Sequence, residues 1–261
     1  MIGRRSLVAA LVALALVAGD GSGAGAAEWW RPTPGATWQI QLDGPPDLSV
    51  AAAVHDVDLF ETSVARIATL HDRGRRVICY LSAGSWERWR PDAGDFPAET
   101  IGRRLAGWPG ERWLDVRAEA IHAVMRARLD RARDKGCDAV DPDNVDGYTH
   151  RTGFPLTAAD QLDFNRFLAA EAHARGLAIG LKNDVGQIPA LLGDFDFAVN
   201  EQCFQYRECA AVAAFVEAGK PVFQIEYGGR DEARRVCPRA RELGFSTVVK
   251  KLDLGAWRIA C

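Results

Sequence analysis

The stretch that decides the fold is Ala139-Val140-Asp141-Pro142-Asp143-Asn144-Val145-Asp146-Gly147, where a short apolar run passes into a polar turn. An apolar run that enters a turn containing Pro and Gly is typical of the end of a buried strand. Because alternate residues of a strand share a face, Ala139, Asp141 and Asp143 are predicted to point together. Acids this close repel one another, which indicates bound cations or a catalytic task; an acidic turn closed by its own Asn and Asp side chains is the structural alternative.

Outward from this stretch, one pattern recurs five times: a helical segment, a Gly, and then an apolar strand. A Gly just past a helix is the left-handed residue that ends it. The predicted helix and strand pairs are 61–73 with 77–81, 116–135 with 137–140, 158–175 with 177–181, 208–218 with 222–225, and 231–243 with 247–249. This repetition indicates an α/β protein with a parallel sheet.

Three further strands, at residues 37–42, 55–60 and 197–201, bring the predicted count to eight. Eight parallel strands in a chain of this length favour a single (β/α)8 barrel of the TIM type. The segment 83–114 lacks a period and predicts a long irregular loop, on the barrel face where active sites lie. The absence of a Gly-x-Gly-x-x-Gly motif and of a phosphate-binding loop argues against a nucleotide cofactor.

The first 27 residues have the features of an export signal. Arg4 and Arg5 precede the apolar run Leu7 to Ala18, and small residues from Gly19 to Ala27 offer a cleavage site. The apolar run is too short to span a bilayer comfortably. We therefore expect a secretion signal peptide at residues 1–27, a catalytic barrel at residues 28–261, and a secreted, extracellular protein without stable membrane insertion.

Charge and composition restrict the partners. The formal net charge of the chain is -3, and loss of Arg4, Arg5 and Asp20 with the leader makes it -4, because 30 basic residues then face 34 acidic ones. No basic tract stands out, which argues against nucleic-acid binding. The sequence leaves the oligomeric state open.

The six cysteines are even in number, and export permits disulfide bonds. Two pairs are predicted, Cys203 with Cys209 across a short loop and Cys237 with the terminal Cys261. Cys79 and Cys137 lie in strand-like runs, where a disulfide and two buried thiols are both open.

Neither a metal nor an organic cofactor is expected. The Cys and His spacings do not match a zinc site, and the five histidines are interpreted as solvated or structural. The run Asp141 to Gly147 also departs from a calcium loop, because Val145 stands where a ligand is needed and Asp146 where the turn requires Gly.

Polar residues gather where the predicted strands end, which in a barrel is the face of the active site. Some of them are explained equally well as caps of the following helices. The candidate substrate-binding residues are Asp43, Tyr80, Asp141, Asn144, Asp146, Lys182, Asn183, Asp184, Gln202, Glu226, Tyr227 and Lys250. Aromatic residues predicted at the same mouth are suited to stacking on sugar rings or cationic groups. They are Trp38, Tyr80, Trp86, Trp89, Phe204, Tyr206 and Tyr227.

Asp143 and Glu201 end the predicted fourth and sixth strands, with one strand between them. Two carboxylates that face each other across a groove are what glycosidic bond cleavage needs, one as acid and the other as nucleophile or base. Lys182, on the intervening strand, is placed to hold a carboxylate ionised. A salt bridge inside the barrel mouth is the structural alternative for this lysine.

Four motifs resemble those of glycoside hydrolase family 114: residues 136–147, Thr152-Gly-Phe-Pro-Leu-Thr157, Gly180-Leu-Lys-Asn-Asp184 and Asn200-Glu-Gln-Cys-Phe204. The likeness extends from Trp38-Gln39-Ile40-Gln41-Leu42 to Lys250-Lys251-Leu252-Asp253-Leu254. Members of that family are secreted (β/α)8 barrels described as endo-α-1,4-polygalactosaminidases. The resemblance implies that Asp143 is the catalytic carboxylate of the fourth strand and Glu201 that of the sixth.

The implied substrate is a galactosamine-rich polysaccharide whose free amines make it cationic. An acidic groove would attract such a polymer, with an affinity that falls as salt rises. Glu201 is assigned as general acid/base and Asp143 as nucleophile, while the role order, the stereochemistry and the tolerance of N-acetyl groups stay open. A non-catalytic carbohydrate-binding barrel and a hydrolase of a different glycan are the alternatives, because fold alone does not choose between them.

Overall fold

The computed structural model describes residues 28–261, so the predicted signal peptide lies outside the described residues. The strands are β1 (Trp38–Gln41), β2 (Val54–Asp58), β3 (Arg76–Ser82), β4 (Ser85–Glu87), β5 (Ile101–Arg104), β6 (Glu111–Leu114), β7 (Ala139–Asp143), β8 (Ala178–Lys182), β9 (Phe197–Glu201), β10 (Val222–Tyr227), β11 (Ser246–Lys250) and β12 (Ile259–Ala260). The α-helices are α1 (Val64–Asp72), α2 (Glu119–Lys135), α3 (Ala158–Ala174), α4 (Ile188–Leu191), α5 (Cys203–Tyr206), α6 (Cys209–Val212), α7 (Ala214–Glu217) and α8 (Arg230–Glu242).

Eight parallel strands follow one another in the order β1-β2-β3-β7-β8-β9-β10-β11, and β12 pairs antiparallel with β11. The first and last parallel strands, β1 and β11, lie side by side at a seam. The C-terminal segment bridges this seam, because Gln39 donates to the carbonyl of Ala256 and Arg258 donates to the carbonyl of Trp38. The predicted (β/α)8 barrel is confirmed.

The barrel interior is packed rather than open. Inward-facing apolar side chains from all eight parallel strands form one cluster: Trp38, Ile40, Val54, Ile78, Ala139, Ala178, Phe197, Val199, Phe223, Ile225 and Val248. Gly180 is required here, because a Cβ atom at that position would lie 2.3 Å from the ring of Phe197. Since the interior is filled, a site can only form at the C-terminal ends of the strands.

The helix boundaries follow the local signals. Helix α2 ends at Gly136, which has a left-handed φ of 86°, and α3 begins with the predicted capping box of Thr157 and Asp160. The helix predicted at 208–218 is instead two short helices, α6 and α7, separated at Ala213. Among residues 28–261, no helix is both long and apolar enough to cross a membrane.

The segment 83–114 is not the irregular loop that the sequence predicts. It folds into a small antiparallel sheet in the order β4-β6-β5. Strands of three or four residues are too short to show a period in the sequence, which explains the wrong prediction. The buried Arg90 attaches this insertion to the barrel through a 2.7 Å ion pair with Asp58, at the end of β2. Gly84 fits directly against the carbonyl of Asn144, where any Cβ atom would collide.

All six cysteines are paired. The predicted pairs Cys203–Cys209 and Cys237–Cys261 are present, and the open question is settled by a bond between Cys79 and Cys137. Cys79 lies on β3 and Cys137 just before β7, and these two strands are hydrogen-bonded neighbours. The three bonds therefore tie neighbouring strands, a loop at the barrel mouth and the C-terminus.

Candidate active site

A cavity of 1100 Å³ opens at the C-terminal ends of the parallel strands. Inward-facing residues at the last position of the central strands form its floor. The cavity brings together ten of the residues predicted from the sequence: Asp43, Tyr80, Asp143, Asn144, Asp146, Lys182, Asn183, Glu201, Gln202 and Tyr227.

Lys182 is the centre of the floor. Its Nζ atom lies 3.2 Å from Oδ1 of Asp143, 3.6 Å from Oε2 of Glu201 and 3.9 Å from Oδ2 of Asp141. Burial alone would lower the pKa of Lys182, but these carboxylates raise it well above its ordinary value. The ammonium is therefore charged and sits between the two candidate catalytic groups.

Three donors contact the carboxylate of Asp143. The Tyr80 hydroxyl donates to Oδ2 at 2.9 Å, the Asn144 backbone N–H donates to Oδ1 at 2.8 Å, and the Lys182 ammonium approaches Oδ1. Burial, with the charge of Asp143, raises the pKa of Tyr80 well above its ordinary value, so this hydroxyl keeps its proton and donates it.

Glu201 lies across the floor in a similar setting. The Tyr227 hydroxyl makes a short hydrogen bond to Oε1, and Nδ2 of Asn183 donates to Oε2 at 3.2 Å. Oδ1 of Asn183 accepts from the backbone N–H of Glu201, so this amide fixes both the strand end and the carboxylate. Burial and the charge of Glu201 raise the pKa of Tyr227, which keeps this hydroxyl protonated as well.

The two candidate catalytic carboxylates share one cation. Because Lys182 approaches both of them, the two oxygens it contacts lie within about 7 Å of each other, a range that includes the ~5 Å separation of retaining glycosidases. Both side chains are about one quarter exposed, at 21% for Asp143 and 24% for Glu201. A sugar residue can therefore reach both.

A left-handed residue follows each of the three central functional groups. Asn144, Asn183 and Gln202 have φ values of 61°, 51° and 63°, and they come directly after Asp143, Lys182 and Glu201. Residues other than Gly adopt this conformation at a cost of about 1–3 kcal/mol unless the side chain is Asn or Asp, and such strain concentrates at functional sites. These turns bring the Asn144 amide to Ser82 and the Asn183 amide to Glu201.

A buried pair of acids lies beneath the floor. Asp56 and Asp141 are fully buried, and among the described residues no hydrogen-bond partner reaches their carboxylate oxygens. Burial raises the pKa of Asp141 to about 7 and that of Asp56 well above its ordinary value. Asp56 therefore favours its protonated form, and Asp141 lies 3.9 Å from Nζ of Lys182 instead of lining the cavity as predicted.

Three other predicted residues do not reach the cavity. Glu226 faces outward because Tyr227 faces inward and neighbouring strand residues alternate; its carboxylate accepts from the Phe204 backbone N–H. Lys250 donates to the carbonyl of Gly255 in the C-terminal segment. Asp184 is buried behind the wall, where it accepts from Nδ2 of Asn165 at 2.9 Å.

The predicted aromatic mouth is also rearranged. Trp38 lies in the barrel core, Phe204 packs against the core, and the Trp86 indole donates to the carbonyl of Ala93. Trp89 and Tyr206 line the cavity and are half-exposed or more. Trp108, which the sequence did not single out, lines it as well.

The sequence reasoning missed one wall of the cavity. Glu87, Arg90 and Glu111 come from the insertion, and Asp58 comes from the end of β2. Asp58 could have been found by ending the second predicted strand two residues earlier, whereas no signal marks the other three. In the part of the chain that the structure describes, no three His, Cys, Asp or Glu side chains converge as metal ligands.

Comparisons with known proteins agree with this geometry. Residues 19–261 match the model of glycoside-hydrolase family GH114. The crystal structure of Aspergillus fumigatus Ega3 in complex with galactosamine superposes with a TM-score of 0.87 at 45% identity, over 90% of this chain and 98% of that chain.

Two further proteins are more distant. The glycoside hydrolase domain of PelA from Pseudomonas aeruginosa has a TM-score of 0.70 at 18% identity, over 87% of this chain and 98% of that chain, and supports the fold alone. An uncharacterized protein of Deinococcus radiodurans is 28% identical over 207 residues, which are 70% of this chain and 66% of that protein. The chain thus spans about two thirds of the length of this relative.

Proposed function

Because this chain belongs to glycoside-hydrolase family GH114 and is an endo-acting glycosidase, we propose that it cuts internal α-1,4 bonds of a galactosamine-rich polysaccharide. The observation that carries the proposal is the Lys182 ammonium, held between the carboxylates of Asp143 and Glu201 at the ends of the fourth and sixth barrel strands. Two carboxylates on one cavity floor supply the acid and the nucleophile of glycosidic cleavage.

The environments of the two carboxylates favour different roles. Asp143 has the closer ammonium and a backbone N–H donor, which stabilise an anion and suit a nucleophile. Glu201 is the general acid and base: it protonates the leaving oxygen while Asp143 attacks the anomeric carbon. In the second step Glu201 takes a proton from water, and that water releases the sugar from the Asp143 ester.

Retention of the anomeric configuration is part of the proposal. It is supported by the single lysine that reaches both carboxylates and so limits their separation. ¹H NMR of the first products should show the α-anomer before mutarotation. Initial appearance of the β-anomer would instead indicate direct attack by water, with Asp143 as the base.

The charge of the cavity supports a cationic substrate. Ten carboxylates line it, whereas its Lys and Arg side chains are limited, among the described residues, to Lys182 and Arg90, which are both already paired. The carboxylates are Asp43, Asp58, Glu61, Glu87, Glu111, Asp143, Asp146, Glu201, Glu208 and Asp253. Such a surface attracts a polyamine and repels a polyanion. The galactosamine present in the Ega3 crystal structure supports the same substrate class.

Secretion is also proposed. It is supported by the features of an export signal in residues 1–27 and by three disulfide bonds, which persist in oxidising compartments. Expression with the native leader should deliver a protein that lacks the leader to the medium or periplasm. N-terminal sequencing should place the new terminus near Ala27, and retention of Met1 would contradict this part of the proposal.

The experiment that tests the activity is an end-product assay. Purified protein is incubated with partly de-N-acetylated α-1,4-galactosaminan, and the products are followed by mass spectrometry and size-exclusion chromatography. Chitosan, a β-linked polyamine, and a neutral α-linked galactan serve as control polymers. We expect a rapid fall in polymer length with short oligosaccharides as products, from galactosaminan alone.

The other outcomes are equally informative. Release of monomers without an early fall in polymer length would contradict internal cleavage. Cleavage of a control polymer at a similar rate would indicate a hydrolase of a different glycan. Retention of galactosaminan on immobilised protein without any turnover would indicate a carbohydrate-binding barrel.

A further inference from the structure

A buried carboxylate of the cavity wall, Glu111, has no cation within ion-pair distance among the described residues. Glu111, the first residue of β6, is only 6% exposed and lines the cavity. The Ser85 hydroxyl donates to its Oε2 atom at 2.7 Å. Within residues 28–261, no Lys, Arg or His nitrogen lies within ion-pair distance of this carboxylate, and Oε1 accepts no hydrogen bond.

The neighbouring carboxylates of the same wall are compensated. Arg90 lies 2.8 Å from Oε1 of Glu87 and 2.7 Å from Oδ2 of Asp58, so a single guanidinium serves both acids. Glu111 receives no such contact, and burial raises its pKa to about 7; the charge of Glu87 acts in the same direction, whereas the Ser85 hydrogen bond and the more distant charge of Arg90 act against it. A buried carboxylate is expensive without a partner charge, so Glu111 is the member of this wall that a bound cation would satisfy.

A short chain of hydrogen bonds connects Glu111 to the catalytic floor. The hydroxyls of Ser85 and Ser82 lie 2.7 Å apart, and the Asn144 side chain donates to Ser82 at 2.9 Å. The backbone N–H of Asn144 in turn donates to Asp143. Glu111 is therefore held at a fixed position beside the carboxylate that the proposed mechanism places against the anomeric carbon.

We propose that Glu111 binds the 2-ammonium group of the galactosamine residue that docks against Asp143. The inference rests on the proposed function and adds the group that selects a free amine. An ammonium supplies the missing charge and donates to the unpaired Oε1 atom. An N-acetyl group carries no charge and leaves the buried carboxylate unsatisfied, which is the kind of mismatch that gives strong discrimination.

The test compares two substrates with one substitution. Wild type and Glu111→Gln are assayed on fully de-N-acetylated and on fully N-acetylated α-1,4-galactosaminan of equal length. The substitution should lower kcat/KM for the free-amine polymer by about 10- to 100-fold. It should leave kcat/KM for the N-acetylated polymer unchanged or raise it, so the preference for free amine collapses.

Two further variants separate recognition from general effects. Glu99→Gln removes the same charge at an exposed position outside the cavity lining and should leave the substrate preference unchanged. Ser85→Ala removes the hydroxyl that holds Glu111 and should reduce the preference in part. Thermal unfolding of each variant shows whether a loss reflects folding.

The outcomes separate this inference from the proposed function. An equal loss of kcat/KM on both polymers, or no loss on either, would overturn the role of Glu111. If wild type cuts neither polymer, the proposed function fails. The role of Glu111 in recognition is then tested by calorimetry, which measures binding without cleavage. In that case a galactosamine tetramer must bind at least about 10-fold more weakly to Glu111→Gln than to wild type, and equal affinity would overturn the inference.

Discussion

The two walls of the cavity are built on different principles. The first, called the strand-end wall here, is the cavity floor described above. It consists of Asp143, Lys182, Glu201 and Tyr227, each at the last position of a barrel strand. The insertion wall consists of Glu87, Trp89, Arg90 and Glu111, all within the segment 83–114. Hydrogen-bonded strands set the spacing on the first wall, whereas ion pairs to the barrel and the small sheet set it on the second. The proposed function places bond cleavage on the strand-end wall, and the further inference places recognition of the amine on the insertion wall.

The largest expected effect comes from the strand-end wall. Asp143→Asn and Glu201→Gln each keep the size of the side chain but replace its carboxylate by an amide. Turnover should fall about 10³-fold or more in each variant, because Asp143→Asn removes the nucleophile and Glu201→Gln removes the general acid and base. Release of reducing ends measures the rate, and circular dichroism checks the fold. If Glu111→Gln lost as much on every substrate, the division of labour between the walls would be wrong.

Substitution of Lys182 tests whether turnover at the strand-end wall requires the charge of the ammonium or only the packing of the side chain. Lys182→Met removes the ammonium that contacts three carboxylates and keeps most of the packing. We expect kcat/KM to fall about 100-fold, and the acid limb of the pH profile to move to higher pH, because the ammonium favours the ionised state of its neighbours. Lys182→Arg should restore part of the activity. A lower rate with an unmoved pH profile would assign Lys182 a packing role.

The sequence predicts the strand-end wall better than the insertion wall for a physical reason. Helix, Gly and strand recur along the chain, so strand ends such as Asp143 and Lys182 can be located from the pattern. Errors of one residue still matter, because alternation turns Glu226 outward while Tyr227 faces the cavity. No repeat governs the insertion, and its shape depends on pairings such as Arg90 with Asp58 that are distant in sequence.

Asp184 marks where the strand-end wall stops. It follows Asn183 directly, but its side chain is buried behind the residues that line the cavity. Burial, together with the charge of Asp146, raises its pKa to about 8. The folded chain therefore holds a proton that the unfolded chain, with a pKa of about 3.9, releases as pH rises. It follows that the free energy of unfolding decreases between about pH 4 and pH 8.

Asp184→Asn should remove that decrease, a gain on the order of 1–3 kcal/mol at pH 8 relative to wild type. Asn also suits the left-handed φ of 38° at this position. Urea unfolding at several pH values measures the slope, and the exposed Asp134→Asn should keep the slope of wild type. Turnover should stay within about threefold of wild type, since replacement of a buried carboxyl group behind the wall leaves the floor in place. A large loss of turnover would place Asp184 in the site after all.

The smallest expected effect is on the insertion side, at Trp108. Its ring is 48% exposed at the cavity edge, where it offers a flat apolar face to a sugar ring. Trp108→Ala should raise KM about 3- to 10-fold for long polymer and leave kcat unchanged, because a contact far from the cut bond stabilises ground state and transition state equally. A galactosamine tetramer has fewer sugar units with which to reach Trp108 and should show a smaller change. Trp257→Ala, at an exposed tryptophan outside the cavity lining, is the matched control. An equal rise in KM for tetramer and polymer would show that Trp108 contacts sugar units close to the cut bond. The insertion wall would then take part in catalysis together with the strand-end wall.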